Sequence, residues 1–109
     1  MNDLVRKLTT GDHAVEAGLR PAKTIAGFKA ALDRGYVHVR FTETHGGTEL
    51  GFNLDQNLSD LSAANFESGS GVVKIGGNLT LDYEKVRCIA EIDLATLKGR
   101  GHLELLNQA

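Results

Sequence analysis

From residue 36 to residue 106 the apolar side chains recur at every second position in short runs, and the runs are joined by connections too short for parallel crossovers. Val37, Val39 and Phe41 alternate with His38, Arg40 and Thr42, and Leu50, Phe52 and Leu54 alternate with Glu49, Gly51 and Asn53. Thr44-His45-Gly46-Gly47 lies between these two runs, and paired glycines supply the positive φ that a tight hairpin needs. Strand character resumes at Val73 and Ile75, passes Gly76-Gly77, and continues through Leu79, Leu81 and Tyr83 to a turn near Glu84-Lys85. Two more runs, over 86–93 and 101–106, complete a twisted, mostly antiparallel sheet of about five to six strands.

Before residue 35 the period is helical. Leu4, Val5 and Leu8 fall on one side of a short helix with Asn2 as its N-cap and Gly11 as its stop. A second short turn is expected from Asp12 to Gly18. The strongest helix covers 24–34, where Ile25, Phe28, Ala31 and Leu32 form one stripe, Thr24 or Pro21 marks the start, and Gly35 follows the end. The expectation is therefore an α+β fold in one globular domain, residues 1–109, with N-terminal helices (about 1–34) packed on the sheet (about 35–107). Residues 55–71 receive no firm assignment, since the alternation breaks there. The expected core comprises Ile25, Phe28, Leu32, Val37, Val39, Phe41, Leu50, Phe52, Leu81, Cys88, Ala90, Ile92, Leu103 and Leu105.

Charge and cysteine content narrow the function classes. Twelve Lys and Arg against 14 Asp and Glu leave a net charge of −2 with no basic stripe, which disfavours nucleic-acid binding. Cys88 is the only cysteine, so neither an intrachain disulfide nor a zinc site built on paired cysteines can form. The N-terminus lacks a signal-like apolar stretch, and no run approaches the roughly 18 apolar residues of a membrane span. A cytoplasmic protein without membrane contact is expected. Asn78-Leu79-Thr80 matches a glycosylation pattern, but it sits inside an expected strand.

Four chemical readings can be weighed. His13, His38, His45, His102 and Cys88 offer metal-ligating atoms, but no histidine pair has i, i+4 spacing, and strand parity puts Cys88 and His38 on opposite faces, so no metal site is assigned. Cys88 shares the apolar parity and reads as a core residue rather than a nucleophile. Gly69-Ser70-Gly71 and Gly99-Arg100-Gly101 precede strands, not the helix a phosphate cradle requires, and no serine sits in a nucleophile elbow. The fourth reading is a polar sheet face carrying His38, Arg40, Arg87, Glu91, His102 and Glu104, on which Ile89 and Leu106 share the polar parity and mark a contact patch.

The sequence thus favours a small non-catalytic binding or accessory domain without a cofactor. Its ligand or partner face would comprise His38, Arg40, Arg87, Ile89, Glu91, His102 and Leu106, acting on a protein partner or in homodimer formation. The alternative is a small enzyme or ligand carrier with a pocket between the curved sheet and the 24–34 helix. There His38 would act as acid or base, Arg40 as anion or carbonyl stabiliser and Glu91, Asp93 or Glu104 as orienting carboxylate, on a small-molecule ligand.

Overall fold

The computed structural model describes residues 3–17, 24–44, 46–81 and 83–106. Its elements in chain order are α1 (Asp3–Leu8), β1 (His13–Ala17), α2 (Ile25–Arg34), β2 (Tyr36–Phe41), β3 (Thr48–Asn53), a 3-10 turn (Gln56–Leu58), β4 (Ala64–Asn65), β5 (Ser70–Leu81), β6 (Glu84–Asp93) and β7 (Lys98–Leu105). The expected roles of Asn2, Gly18, Pro21 and His45 lie outside the described residues.

The two helices form where local chemistry favours them. Thr24 caps α2, its hydroxyl accepting from the Gly27 amide at 2.9 Å, an interaction worth about 1 kcal/mol. Gly35 closes the same helix at φ 81° with its amide donating to the carbonyls of Ala31 and Leu32. Phe28, Ala31 and Leu32 are buried on one stripe, as the spacing predicts. In α1 the stripe is Val5 and Leu8, both fully buried. Thr9 and Thr10 then turn their hydroxyls back to the Arg6 carbonyl as the helix ends.

The seven strands make one sheet in the order β3-β2-β1-β7-β6-β5-β4, and every neighbouring pair is antiparallel. Two expectations are corrected here. The sheet has seven strands rather than five to six, and residues 13–17 are a strand rather than a helical turn. β1 is an interior strand of the sheet: Val15 pairs with Phe41 of β2 on one side and Gly99 of β7 on the other. Tyr83 is also not a strand residue. Leu81 pairs with Glu84, so Tyr83 belongs to the tight connection between β5 and β6, where it has φ 70° and is fully exposed.

The sheet curls into a half-barrel that brings β3, at one end, against β5, next to the other end. Gly77 on β5 lies under Phe52 and Asn53 of β3, where a Cβ would collide with the Asn53 carbonyl oxygen and the Phe52 ring. The Asp55 amide then donates to the Gly76 carbonyl at 2.8 Å, which ties the seam, while the Leu54 amide donates to the Gly35 carbonyl at 2.8 Å and extends the β2–β3 pairing. Both helices contribute to the apolar interior enclosed by the concave face. Val15, Val37, Val39, Phe41, Phe52, Val73, Ile75, Val86, Cys88, Ile92 and Leu103 fill it together with Val5, Leu8 and Phe28. Ile25, Leu81 and Leu105 are only partly buried against that core. Among the described residues no polar or charged residue is classed as buried.

Residues 55–68 follow the β5 margin through side-chain turns. Asp55, Asp60 and Asn65, five residues apart, each accept from the amide two residues on, at 2.9, 2.9 and 3.0 Å. Asp60 bridges to Lys74, and Ala64 pairs with Gly71, so the segment borders the sheet while its first turn rises over the convex face.

Candidate functional site

Strand parity sends one set of side chains into the core and the other to the convex face. On β5, β6 and β7 that second set includes Lys74, Gly76, Asn78, Arg87, Ile89, Glu91, Arg100, His102 and Glu104. The register brings four of the expected face residues together. Ile89 lies opposite His102, Arg87 opposite Glu104, and Glu91 opposite Arg100.

The polar groups there are linked in a row. His102 Nε2 is 3.1 Å from Glu104 Oε2, and Nδ1 is 3.3 Å from Asp12 Oδ1. An imidazole donates to both carboxylates only when both of its nitrogens carry a proton. Arg87 reaches Glu104 at 3.9 Å and donates through Nε to Asn78 at 3.3 Å, while Arg100 donates to the Asp12 carbonyl at 3.0 Å. This row uses Asp12, which sequence parity does not mark because it precedes β1. Its signal is position: Asp12 immediately precedes the strand that pairs with β7.

The remaining expected residues are placed elsewhere. His38 and Arg40 are on β2, separated from β6 by β1 and β7, which is three strand spacings or roughly 14 Å. They therefore do not share one site with Glu91. His38 faces away from Val37, Val39 and the side that α2 covers, with its ring edge-on to Tyr36 at 5.3 Å between centroids. Its Nδ1 is buried without a hydrogen-bond partner among the described residues. Arg40 leans to the hairpin turn, donating to the Gly46 carbonyl at 3.4 Å. Leu106 follows β7 at the far end, beside Leu79, Thr80 and Lys85, with its amide on the Lys85 carbonyl at 3.0 Å.

Ile89 owes its place on the polar face to a residue outside the alternating pattern. A Cβ on Gly76 would meet Leu58 Cβ at 2.7 Å and Ile89 Cδ1 at 3.0 Å, so Leu58 and Ile89 close over the bare glycine. Beside them Asn57, Ser59, Asp60, Lys74 and Glu104 line a groove of about 520 Å³. A second groove, of about 300 Å³, continues past the same Lys74 and Ile89 to Glu91, Arg100, His102 and Asp12. Together they form one trough, whose apolar floor lies where Lys74 projects. The first groove falls within the range typical of small-ligand sites.

The titrating groups reflect the same geometry. Two hydrogen bonds from Ser62, hydroxyl and amide, hold the Asp60 carboxyl below its usual value, with Lys74 adding attraction. Glu43 is lowered first by the hydrogen bond from the Ala14 amide at 2.9 Å. Burial pushes the Cys88 thiol up to about 12, which keeps it protonated and unreactive in the folded chain. Among the described residues no group of three or more His, Cys, Asp or Glu side chains is placed to hold a metal ion. No described helix is long and apolar enough to cross a membrane. Comparison with protein-family models finds no match, and comparison with curated proteins finds none either.

Proposed function

We propose that the protein is a small binding or accessory domain that recognises another protein, or a second copy of itself, through the convex face of β5, β6 and β7. The observation that carries this reading is the trough itself, an apolar floor of Leu58 and Ile89 set within Lys74, Glu91, Arg100, His102 and Glu104. Such a mixture of an apolar centre and a charged border suits protein contact. Val72, 40% exposed on the same strand as Lys74, and Leu61, 38% exposed after Asp60, extend the apolar area at the β4 margin. The interior has a structural role in this reading, because its groups are apolar. A reducing, cytoplasmic setting belongs to the same reading and suits a lone buried thiol.

Site-specific photocrosslinking in the producing cell tests the proposal. A crosslinker at Val72 should give discrete protein adducts, with a band at twice the chain mass if the partner is a second copy. The same group at Lys29, on the exposed side of α2, should give few. Equal labelling from both positions, or adducts from Lys29 alone, would count against the convex face.

A further inference from the structure

The outer edge of β5 is covered only in part. The Leu94 amide donates to the Gly71 carbonyl, which fixes the phase of the β5–β6 pairing: Val73, Ile75, Gly77, Leu79 and Leu81 turn their backbone groups to β6, and the residues between them turn theirs outward. Along that edge β4 pairs with Ser70 and Gly71, and Lys74 exchanges two backbone hydrogen bonds with Asp60, at 2.8 and 3.0 Å. Gly76 accepts from the Asp55 amide at 2.8 Å and donates to the Ser59 hydroxyl at 3.2 Å. The cover stops there. Among the described residues the outward amides and carbonyls of Asn78 and Thr80 have no partner, and both residues are exposed. A row of unpaired strand groups is a template for another strand, and proteins ordinarily blunt it with a charge, a proline or a bulge. Gly77-Asn78-Leu79-Thr80-Leu81 has none of these. Leu79 and Leu81 are only partly buried on the concave side, and Leu106, 37% exposed, stands beside Leu79 and Thr80.

We infer that this edge, Asn78 to Thr80, is a docking site for an extended segment of another protein, which adds itself to the sheet as a short strand. The occupant follows from the chemistry of the edge. Amides and carbonyls repeating at every second residue are met in full by a polypeptide in β conformation, whose own groups repeat at the same interval. The residue of that segment opposite Leu79 projects to the concave side and is apolar, packing on Leu79, while its two neighbours face Asn78 and Thr80 and are polar. A second copy of this chain does not fit the edge. Pairing Asn78 of one copy with Thr80 of the other across a two-fold axis runs the other copy's tight β5–β6 connection into the position opposite Gly76, which Asp55 already holds. The inference goes beyond the convex-face reading, since it concerns the edge of the sheet and needs nothing from the trough.

The test is an amide chemical-shift titration of the full 15N-labelled chain with the peptide acetyl-Thr-Val-Thr-Val-Thr-amide. The peptide should shift the amides of Asn78, Leu79, Thr80 and Leu81 saturably. N-methylation of its threonines removes the N–H groups that face the edge and should weaken binding at least about tenfold, whereas N-methylation of its valines, whose amides face away, should leave binding unchanged. In the chain, Thr80→Pro deletes one outward amide at an edge position where proline is tolerated and should weaken the peptide about tenfold; Thr80→Val keeps that amide and should not. Should Thr80→Pro fail to fold, the two methylated peptides decide the matter on the wild-type chain. No saturable shift, equal binding of the two methylated peptides, or indifference of the folded chain to Thr80→Pro overturns the inference. So does a dependence of the Asn78 and Thr80 shifts on protein concentration without peptide, which would assign the edge to a second copy. Crosslinks from Val72 without peptide binding would remove the edge and leave the convex face standing, and peptide binding without those crosslinks would do the reverse.

Discussion

Leu58 is seated on Gly76: a methyl group added to that glycine would come within 2.7 Å of the Leu58 Cβ. This contact converts a loop leaving β3 into one wall of a trough and hides part of Ile89, which strand parity alone would leave in solvent. One missing side chain therefore links a sequence anomaly, an apolar residue among polar ones, to the trough beside Lys74.

Two neighbouring glycines should respond differently to alanine. At Gly76 the added carbon meets the Leu58 Cβ, which moves only with the turn that carries it, the flexible tip of Ile89 and, at 3.3 Å, the Cys88 carbonyl oxygen, and overpacking of this kind costs about 1–3 kcal/mol. At Gly77 it meets the Asn53 backbone carbonyl at the barrel seam, which cannot move without opening β3 from β5. Urea denaturation should rank Gly77→Ala as more destabilising than Gly76→Ala; the opposite order would place the seam elsewhere.

Phe52 is 2% exposed and contributes its ring to that seam. Phe52→Ala should cost about 3–5 kcal/mol, read from the denaturation midpoint at unchanged slope. A small change would mean that β3 presents its other face to the core.

The Cys88 thiol, raised by burial from 9.0 to about 12, makes stability fall at high pH. Below the unfolded value both states keep the proton and the contribution is fully present. Between about 9 and 12 only the unfolded chain releases it, so stability is lost at on the order of 1 kcal/mol per pH unit. Denaturation of wild type and Cys88→Ala from pH 8 to 11 should show the steeper decline in wild type. Parallel curves would contradict the burial.

Glu43 behaves in the opposite sense. The Ala14 amide favours its ionised form, so its contribution is present above the ordinary carboxylate value and disappears as pH falls through the lowered folded value. The gap in urea midpoint between wild type and Glu43→Gln should therefore narrow from pH 5 to pH 3. A gap independent of pH would show that the hydrogen bond does not need the charge.

Much of this architecture is legible in the chain. The stripe Phe28, Ala31 and Leu32, the Thr24 and Gly35 caps, the β2–β3 hairpin and the opposed parities of Cys88 and His38 follow from local periods. β1 does not, because His13-Ala14-Val15-Glu16-Ala17 has one β-branched residue among helix formers, and it is pairing with β2 and β7 on both sides that makes it a strand. Residues 55–68 escape an alternation search since their order comes from side-chain turns; the five-residue spacing of Asp55, Asp60 and Asn65 is the available signal. At the site, parity gathers Arg87, Ile89, Glu91 and His102 correctly onto one face, but it cannot tell that two strands separate His38 and Arg40 from β6, since strand order is a tertiary property. Lys74 is missed for the same reason, its importance arising only when Leu58 folds over Gly76.

The most direct test of the trough is a nuclear Overhauser measurement between the methyl groups of Leu58 and Ile89 in the methyl-labelled chain. The structure predicts a strong cross-peak, present in Lys74→Gln and weakened in Gly76→Ala as the added carbon pushes the two side chains apart. Absence of that cross-peak, with the β5–β6 pairing of Gly76 and Ile89 still visible in backbone contacts, would mean that Leu58 does not cover the sheet. The trough, and the binding surface built on it, would then not exist.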